Sequence, residues 1–316
     1  MSEALKILVS LPVNEEQKKR ILASAGETDI LFASQEDATD EMIGQAQIIF
    51  GNLPAARLQQ AAKLKWLQLN SAGADAYTRP GVIPAQALLT NAVGAYGLAV
   101  SEHMLALLFA MNRRLAEYDK NQQECRWKAM GQVKSVEGSV ILILGLGNIG
   151  GDFARKVKAL GAYTIGVRRN TGECPDYMDE MHPLSKLDEL LPRADVVAIA
   201  LPLTEETRGL MNKERLLMMK KEALLINVGR GPHVDAQALM QVMGEGHLGG
   251  AALDVTDPEP LPADHPLWRQ ERVIITPHVA GSFYLPETKN RVISVFLENL
   301  QKYRAGERLR NLVEHA

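Results

Sequence analysis

The strongest local signal in the sequence is Val140-Ile141-Leu142-Ile143-Leu144-Gly145-Leu146-Gly147-Asn148-Ile149-Gly150. Five apolar residues predict a buried strand, and the GxGxxG spacing after them predicts a tight turn into a helix. Gly145 permits the turn, Gly147 lets backbone N–H groups approach a pyrophosphate, and Gly150 lets the helix pack against the strand. The stretch therefore predicts a dinucleotide-binding turn, against the alternative of a glycine-rich turn that only closes a βα unit. Its contact residues are Gly145, Leu146, Gly147, Asn148, Ile149 and Gly150.

The end of the next predicted strand decides which dinucleotide binds. An acid about 20 residues after the glycine turn would bind a ribose 2′-hydroxyl, but this chain has Arg168-Arg169-Asn170-Thr171 there. Two guanidinium groups without a carboxylate favour a 2′-phosphate through charge and forked hydrogen bonds. We therefore expect Arg168 and Arg169 to contact NADP(H), which we expect to be preferred over NAD(H). A solvated basic loop is the alternative.

Strand-like and helical segments alternate along two parts of the chain, which predicts parallel α/β sheets. The predicted strands of the first part are 7–11, 30–33, 48–50, 64–69 and 88–91. Six predicted strands of the second part are 140–144, 163–167, 196–201, 224–228, 251–255 and 273–276. A long helix is predicted over 98–118, and helical spacing returns at 292–303. The predicted fold class is α/β with two doubly wound parallel-sheet domains: a dinucleotide-binding Rossmann domain over 99–284, and a discontinuous domain formed by 1–98 and 285–316.

Composition and charge exclude several classes of protein. The 316 residues are 46% hydrophobic and 23% charged, which is typical of soluble globular chains of about two domains. The net charge of -3 gives no positive field for nucleic acid or an anionic membrane. Cys125 and Cys174 lack CxxC spacing, and the first residues lack the pattern of a signal peptide. We expect a cytoplasmic protein with no nucleic-acid and no membrane partner.

Three short motifs each close or follow a predicted strand: Asn227-Val228-Gly229-Arg230-Gly231, Asp257-Pro258-Glu259-Pro260 and Thr276-Pro277-His278. The carboxyl ends of strands line the ligand crevice of a doubly wound sheet. Arg230, Glu259 and His278 are therefore expected to converge, although they lie far apart in the sequence. Each motif taken alone is more often structural.

Taken together, the motifs resemble the D-isomer-specific 2-hydroxyacid dehydrogenase family over nearly the whole chain. Six stretches follow the family order: 70–75 (NSAGAD), 100–103 (VSEH), 145–150, 227–231, 257–260 and 277–278. The resemblance implies a flavodoxin-like substrate domain, a Rossmann coenzyme domain, and a homodimer formed through the coenzyme domains. It also implies interconversion of a small 2-oxo acid and its D-2-hydroxy acid. Arg168 departs from the Asp of many members, and this departure bears on NAD specificity rather than on the reaction.

The resemblance also implies a role for each site residue. His278 is the general acid and base, and the Glu259 carboxylate favours its protonated form. Arg230 binds the substrate carboxylate and polarises the carbonyl. Backbone N–H groups of Ala72, Gly73 and Ala74 hold the carboxylate, since small residues permit close approach. Further cofactor contacts are expected from Leu201, Pro202, Thr207, Val228, Gly229, Asp254, His278 and Gly281.

Several alternatives stay open at this point. One is a non-catalytic dinucleotide sensor, because the same family fold also serves as a corepressor that binds proteins. Another is an enzyme that acts on amino acids or thioether nucleosides, although such sites usually depend on lysine or cysteine groups that these motifs lack. We expect no metal site, because the Arg and His supply the electrophilic and acid roles. The substrate is open among glyoxylate, hydroxypyruvate and larger 2-oxo acids. We assign no chemistry to the remaining histidines, which are His103, His182, His233, His247, His265 and His315.

Overall fold

The computed structural model describes residues 5–26, 28–169 and 173–315. Asn170 and Thr171, which end the quoted stretch after Arg168 and Arg169, lie outside these ranges. The chain divides into two compact units, one formed by Met1–Tyr96 with Phe283–Ala316 and the other by Gly97–Ser282. Among the described residues, no helix combines the length and apolar character that crossing a membrane requires.

The first unit contains a five-stranded parallel sheet. Its strands are β1 (Leu5–Val9), β2 (Thr28–Phe32), β3 (Ile48–Phe50), β4 (Trp66–Gln68) and β5 (Leu88–Thr90). The spatial order β2-β1-β3-β4-β5 is the flavodoxin-like order. Among the described residues, two α-helices lie between the strands in sequence, α1 (Glu15–Ala25) and α2 (Asp40–Gln45), and a 3-10 helix spans Ala55–Gln60. Asn14 caps α1, because its side chain accepts from the Gln17 N–H at 2.9 Å.

The second unit contains a seven-stranded parallel sheet in the order β12-β11-β10-β9-β6-β7-β8. Its strands are β6 (Val140–Leu144), β7 (Tyr163–Val167), β8 (Glu180–His182), β9 (Val196–Ile199), β10 (Leu224–Asn227), β11 (Gly250–Leu253) and β12 (Val273–Ile275). Its helices are α3 (Gly97–Asn112), α4 (Leu115–Gln123), α5 (Asn148–Ala159), α6 (Leu187–Leu190), α7 (Lys213–Met218) and α8 (Ala236–Gly244). This is the Rossmann order with one further strand, and the order reverses between β6 and β9. The predicted fold class is confirmed.

Two sequence predictions for the second unit are wrong. The sheet has seven strands rather than six, because β8 is an edge strand whose sequence, Glu-Met-His, has no apolar run to reveal it. The helix predicted over 98–118 is two helices, because Arg114 adopts a left-handed backbone with φ of 57° between α3 and α4. The Arg114 guanidinium donates to the Met130 and Gln132 carbonyls. Neither glycine nor proline marks this break in the sequence.

The predicted terminal helix is confirmed as α9 (Pro286–Ala305), which returns to the first unit. Its Phe296 ring stacks on Phe50, with ring centroids 4.1 Å apart. Asn299 of the same helix is fully buried and donates to the Gln68 side chain at 2.9 Å. Apolar packing and a satisfied polar contact thus tie the end of the chain to its first ninety residues.

Candidate active site

The predicted catalytic residues follow three neighbouring strands at the carboxyl edge of the seven-stranded sheet. Arg230 follows β10, Glu259 follows β11 and His278 follows β12. Backbone hydrogen bonds continue between these strands beyond their ends. The Asp254 N–H donates to the Asn227 carbonyl at 3.0 Å, and the His278 N–H donates to the Asp254 carbonyl at 2.8 Å. The three loops therefore start from one bonded edge.

The glycine turn lies at the same edge, between β6 and α5. A Cβ on Gly145 would lie 2.7 Å from the Ala200 carbonyl oxygen, and one on Gly150 would lie 1.9 Å from the Gly145 oxygen. A Cβ on Gly147 would meet nothing within 4 Å. A side chain at Gly145 or Gly150 would thus collide with neighbouring backbone, whereas the space beside Gly147 is open. Leu146 and Ile149 are half-buried, and Asn148 is exposed.

The N-terminus of α5 fits an anionic group. Gly147 is the N-cap and provides no side-chain hydrogen bond, so the first N–H groups of the helix lack an internal acceptor. Such a terminus binds phosphate through these donors and through the helix dipole. The turn and the helix together therefore fit the pyrophosphate of a dinucleotide.

The two predicted 2′-phosphate residues directly follow β7. Arg168 is half-buried, and its N–H donates to the His182 carbonyl at 3.2 Å, which joins this loop to β8. Arg169 is exposed. Within the described ranges neither guanidinium meets a carboxylate. The positive charge at the end of β7 is therefore not neutralised by the described carboxylates.

His278 and Glu259 are in direct contact. The imidazole Nδ1 lies 2.7 Å from the Glu259 Oε1, and the two side chains are 49% and 38% exposed. A carboxylate at Nδ1 orients the ring and leaves Nε2 as the nitrogen that can meet a substrate. His278 also has a φ of 51°, a left-handed conformation that is uncommon outside glycine. Its N–H, held by the Asp254 and Thr276 carbonyls, fixes this geometry.

Asp254 holds the segment that carries His278. This residue is 2% exposed, and its Oδ1 accepts from the Thr276 hydroxyl at 2.6 Å and from the Val279 N–H at 3.0 Å. Its Oδ2 accepts from the Ala280 N–H at 3.1 Å. The sequence predicts a cofactor contact here, and both carboxylate oxygens are engaged by residues 276–280. Gly281, another predicted contact, is half-buried at the end of that segment.

His103 joins this arrangement, although sequence reasoning gave it no chemistry. Its Nε2 lies 3.0 Å from the Thr276 Oγ1. Because the Thr276 hydroxyl proton is directed to Asp254, the imidazole must be the donor in this bond. His103 belongs to the VSEH stretch at the start of α3, and only the folded chain brings that stretch to Thr276.

Arg230 is fixed through its backbone. Its N–H donates to the His233 Nδ1 at 3.0 Å, and its carbonyl accepts from the Asn227 side chain at 2.9 Å. Asn227 and His233 are fully buried. A Cβ on Gly231 would lie 1.8 Å from the Thr256 carbonyl oxygen, so the chain beside Arg230 packs tightly on the loop after β11. Sequence reasoning missed both positioning side chains, although each lies three residues from Arg230 and was in reach of local turn chemistry.

The loop after β9 contains three predicted cofactor contacts. Leu201 is half-buried and Pro202 is exposed. Thr207 is 5% exposed, and its hydroxyl donates to the Pro202 carbonyl at 2.9 Å. Two further predicted contacts follow β10: Val228 is buried, and a Cβ on Gly229 would lie 2.9 Å from the Leu201 carbonyl oxygen. The loops after β9 and β10 are thus closely packed.

The predicted substrate clamp, residues 72–74, belongs to the first unit. The carbonyl oxygens of these three residues accept hydrogen bonds from within the same unit. The Asn91 side chain donates to Ala72 at 2.9 Å, the Ser71 hydroxyl donates to Gly73 at 2.6 Å, and the Tyr77 N–H donates to Ala74 at 2.8 Å. No acceptor among the described residues engages the N–H groups of residues 72–74. The described part of the chain thus leaves these three N–H groups without an acceptor.

A Rossmann sheet with a glycine turn and an Arg, Glu and His set at its carboxyl edge is the arrangement of a nicotinamide-dependent oxidoreductase. The family profile described as "D-isomer specific 2-hydroxyacid dehydrogenase, NAD binding domain" matches residues 105–280. A glyoxylate reductase of Korarchaeum cryptofilum is 37% identical in an alignment of 233 positions that covers 71% of this chain and 68% of that protein.

Solved structures agree with this assignment. A D-isomer specific 2-hydroxyacid dehydrogenase family protein of Aeromonas salmonicida is 31% identical, with a TM-score of 0.88 over 98% of this chain and 99% of that one. A D-isomer specific 2-hydroxyacid dehydrogenase of Xanthobacter autotrophicus, solved with NADPH and MES, is 28% identical, with a TM-score of 0.82 over 98% of each chain. The chain belongs to the D-isomer specific 2-hydroxyacid dehydrogenase family. The predicted NAD(P)-dependent dehydrogenase is confirmed at this level.

Proposed function

We propose that this chain uses NADP(H) to reduce a small 2-oxo acid to its D-2-hydroxy acid, and to catalyse the reverse reaction. The observation that carries the proposal is the 2.7 Å contact between His278 and Glu259 on the strand edge that also bears Arg230 and the glycine turn. The glyoxylate reductase relative and the NADPH-bound relative support the same reaction class.

His278 is the proposed general acid and base. Its Nε2 holds the proton that passes to the substrate oxygen during reduction and takes it back during oxidation. Glu259 accepts from Nδ1 and so keeps the ring in the orientation in which Nε2 faces the substrate. A rigid imidazole and carboxylate pair avoids reorganisation during the proton transfer.

Arg230 is the proposed electrophilic residue. Its guanidinium is positively charged at every working pH and can bridge a carboxylate and a neighbouring carbonyl oxygen. It draws electron density from that carbonyl as negative charge develops on the oxygen. The three N–H donors of residues 72–74 are the proposed second anchor of the substrate carboxylate.

The glycine turn, the N-terminus of α5 and the arginines after β7 are the proposed coenzyme site. When bound, the reduced nicotinamide supplies the hydride. Arg168 and Arg169 provide the charge for a 2′-phosphate, and this charge is the basis for preferring NADP(H).

A panel of 2-oxo acids with NADPH and NADH tests the proposal through the loss of reduced-nicotinamide absorbance. Glyoxylate, hydroxypyruvate and longer straight-chain acids separate substrate size from the shared carboxylate and carbonyl. We expect turnover with NADPH at a higher kcat/KM than with NADH. A protein that binds NADPH tightly but turns over no member of the panel would contradict the proposal and favour the dinucleotide-sensor alternative.

A further inference from the structure

We propose that His233 is a positioning residue that couples the coenzyme loop after β9 to the substrate-binding Arg230. The inference rests on the proposed function, because the proposed function assigns the loop after β9 to the coenzyme and Arg230 to the substrate. The residue itself touches neither ligand in this proposal and acts through its neighbours.

The His233 ring bridges the two loops with both of its nitrogens. Its Nδ1 accepts from the Arg230 N–H at 3.0 Å, and its Nε2 lies 3.3 Å from the Pro202 carbonyl. An Nδ1 that accepts from an N–H carries no proton, so the proton must be on Nε2, which donates to Pro202. One tautomer therefore satisfies both loops at once.

The surroundings of the ring leave it little freedom. His233 is 0% exposed. A Cβ on Gly229 would lie 2.9 Å from both the Cε1 and the Nδ1 of the ring, so the chain beside Arg230 packs directly on the imidazole. Close packing of this kind transmits a shift of one wall to the other. A displacement of Pro202 would thus reach the backbone of Arg230 through a single side chain.

The ring must be neutral to make both bonds. Burial lowers the pKa of His233, and the neighbouring positive charge of Arg230 lowers it further. A protonated ring would direct an N–H at the Arg230 N–H and lose the bond that fixes the arginine. Its environment therefore favours the state that the bridge requires.

Two conservative variants separate the two halves of the bridge. An Asn at this position keeps an acceptor near Nδ1 but is too short to reach Pro202, whereas a Gln keeps a donor near Nε2. We expect H233N to retain kcat with saturating NADPH within about threefold and to raise the Kd for NADPH by up to about tenfold, the range of one lost hydrogen bond. We expect H233Q to show the reverse, with kcat lowered by up to about tenfold and the Kd for NADPH kept within about threefold.

The matched control is His247, whose Nε2 also bonds a backbone carbonyl, that of Met219, at 2.9 Å. H247Q should leave kcat and the NADPH Kd unchanged. Thermal unfolding of each variant identifies general destabilisation, which would change kcat and the Kd for NADPH together. A 15N-histidine NMR spectrum of the unmodified protein gives a measurement that needs no variant, and it should show a neutral Nε2–H ring for His233 at pH 7.

The outcomes distinguish this inference from the proposed function. If the unmodified protein is active but H233N and H233Q alter both parameters equally, or neither, His233 does not couple the loops. A doubly protonated His233 at pH 7 would overturn the inference in the same way. An unmodified protein without 2-oxo acid turnover would overturn the proposed function and, with it, this inference.

Discussion

At the scale of single residues, the proton donor depends on a short chain of neighbours rather than on its own position in the sequence. Glu259 bonds one nitrogen of His278, and Asp254 and Thr276 hold the backbone beside it. Glu259 and Asp254 follow the neighbouring strand β11, whereas Thr276 lies just before His278 on the same segment. Removing a partner should therefore affect turnover before it affects folding.

Replacement of His278 by Gln tests the proton donor directly. Gln can fill the site but cannot deliver a proton, so we expect kcat to fall by at least about a hundredfold. The Kd for NADPH, measured by fluorescence titration, should stay within about twofold of the unmodified value. Glu259→Gln keeps an acceptor for Nδ1 and should cost less, about tenfold in kcat. Near-normal turnover in H278Q would refute the acid role.

Replacement of Arg168 by Asp tests the coenzyme preference. A carboxylate repels a 2′-phosphate and can bind a ribose 2′-hydroxyl. We expect the ratio of kcat/KM for NADPH over NADH to fall by at least about tenfold, which corresponds to one charge-assisted contact. The exposed Arg308 of the first unit provides the control, and R308D should leave the ratio unchanged. An unchanged ratio in R168D would leave Arg168 a solvated surface residue.

Replacement of Thr276 by Val tests the support of the His278 segment. Val has the shape of Thr but lacks the hydroxyl that donates to Asp254 at 2.6 Å and accepts from His103. We expect a roughly tenfold lower kcat for T276V. T276S restores the hydroxyl and should recover kcat to within about twofold of the unmodified protein. If both variants have the same kcat, the hydroxyl does not position the segment.

At the scale of secondary structure, the strand β8 is held by side chains rather than by an apolar run. Glu180 of this strand accepts from Arg193, from His182 at 2.8 Å and from the Tyr163 hydroxyl at 2.8 Å. These partners connect β8 to β7 and to the turn before β9. The edge strand β8 of the Rossmann sheet, next to the loop that carries Arg168, is therefore stabilised by ion pairs and hydrogen bonds of Glu180.

The ion pair of Glu180 with Arg193 predicts that the protein loses part of its free energy of unfolding in acid. The Arg193 hydrogen bonds hold the pKa of Glu180 at about 2, below its ordinary value of 4.5. A lowered pKa contributes stability that is fully present above pH 4.5 and is lost as the pH falls toward 2. In urea unfolding at pH 7 and pH 3, E180Q should therefore be less stable than the unmodified protein at pH 7, and this difference should be clearly smaller at pH 3. The exposed Glu36 is the control, and E36Q should match the unmodified protein at both pH values. A constant difference for E180Q would mean that ionisation is not the cause.

The sequence predicted elements well wherever an apolar run gives the signal. The limits of β3, β6 and β7 match the prediction at both ends, because each is a short run of mostly buried residues. β8 was missed because ion pairs hold it, and the break at Arg114 was missed because a non-glycine residue takes a left-handed backbone there. Apolar periodicity carries no information about either feature.

At the scale of the whole molecule, topology explains why motifs far apart in sequence could be assigned to one edge. In a parallel sheet every strand ends on the same side, so Arg230, Glu259 and His278 needed only their strands to be recognised. His103 and His233 could not be found in this way. His103 reaches Thr276 from helix α3, and His233 reaches the Pro202 carbonyl across two loops, so both contacts depend on which groups the fold brings within bonding distance.

The oligomeric state is a prediction at this largest scale. Trp127 is fully exposed at 106%, and Leu115, Tyr118 and Val133 of the same stretch are 53%, 37% and 46% exposed. Exposed large apolar side chains that follow one another closely in the sequence favour burial against another protein surface. The family resemblance implies a homodimer formed through the coenzyme domain, which contains this stretch. We expect sedimentation analysis to give twice the 34.7 kDa mass of the chain.

A charge at the centre of that stretch should separate the subunits. Burying an unpaired carboxylate in an apolar contact is strongly unfavourable, so W127E should sediment at the mass of one chain. Trp268 is also exposed, at 47%, but lies on the turn Pro266–Arg269 outside the cluster, and W268E should keep the mass of the unmodified protein. If W127E retains the double mass, another surface forms the dimer. If the unmodified protein sediments as one chain, the exposed cluster has a different role and the homodimer prediction is wrong.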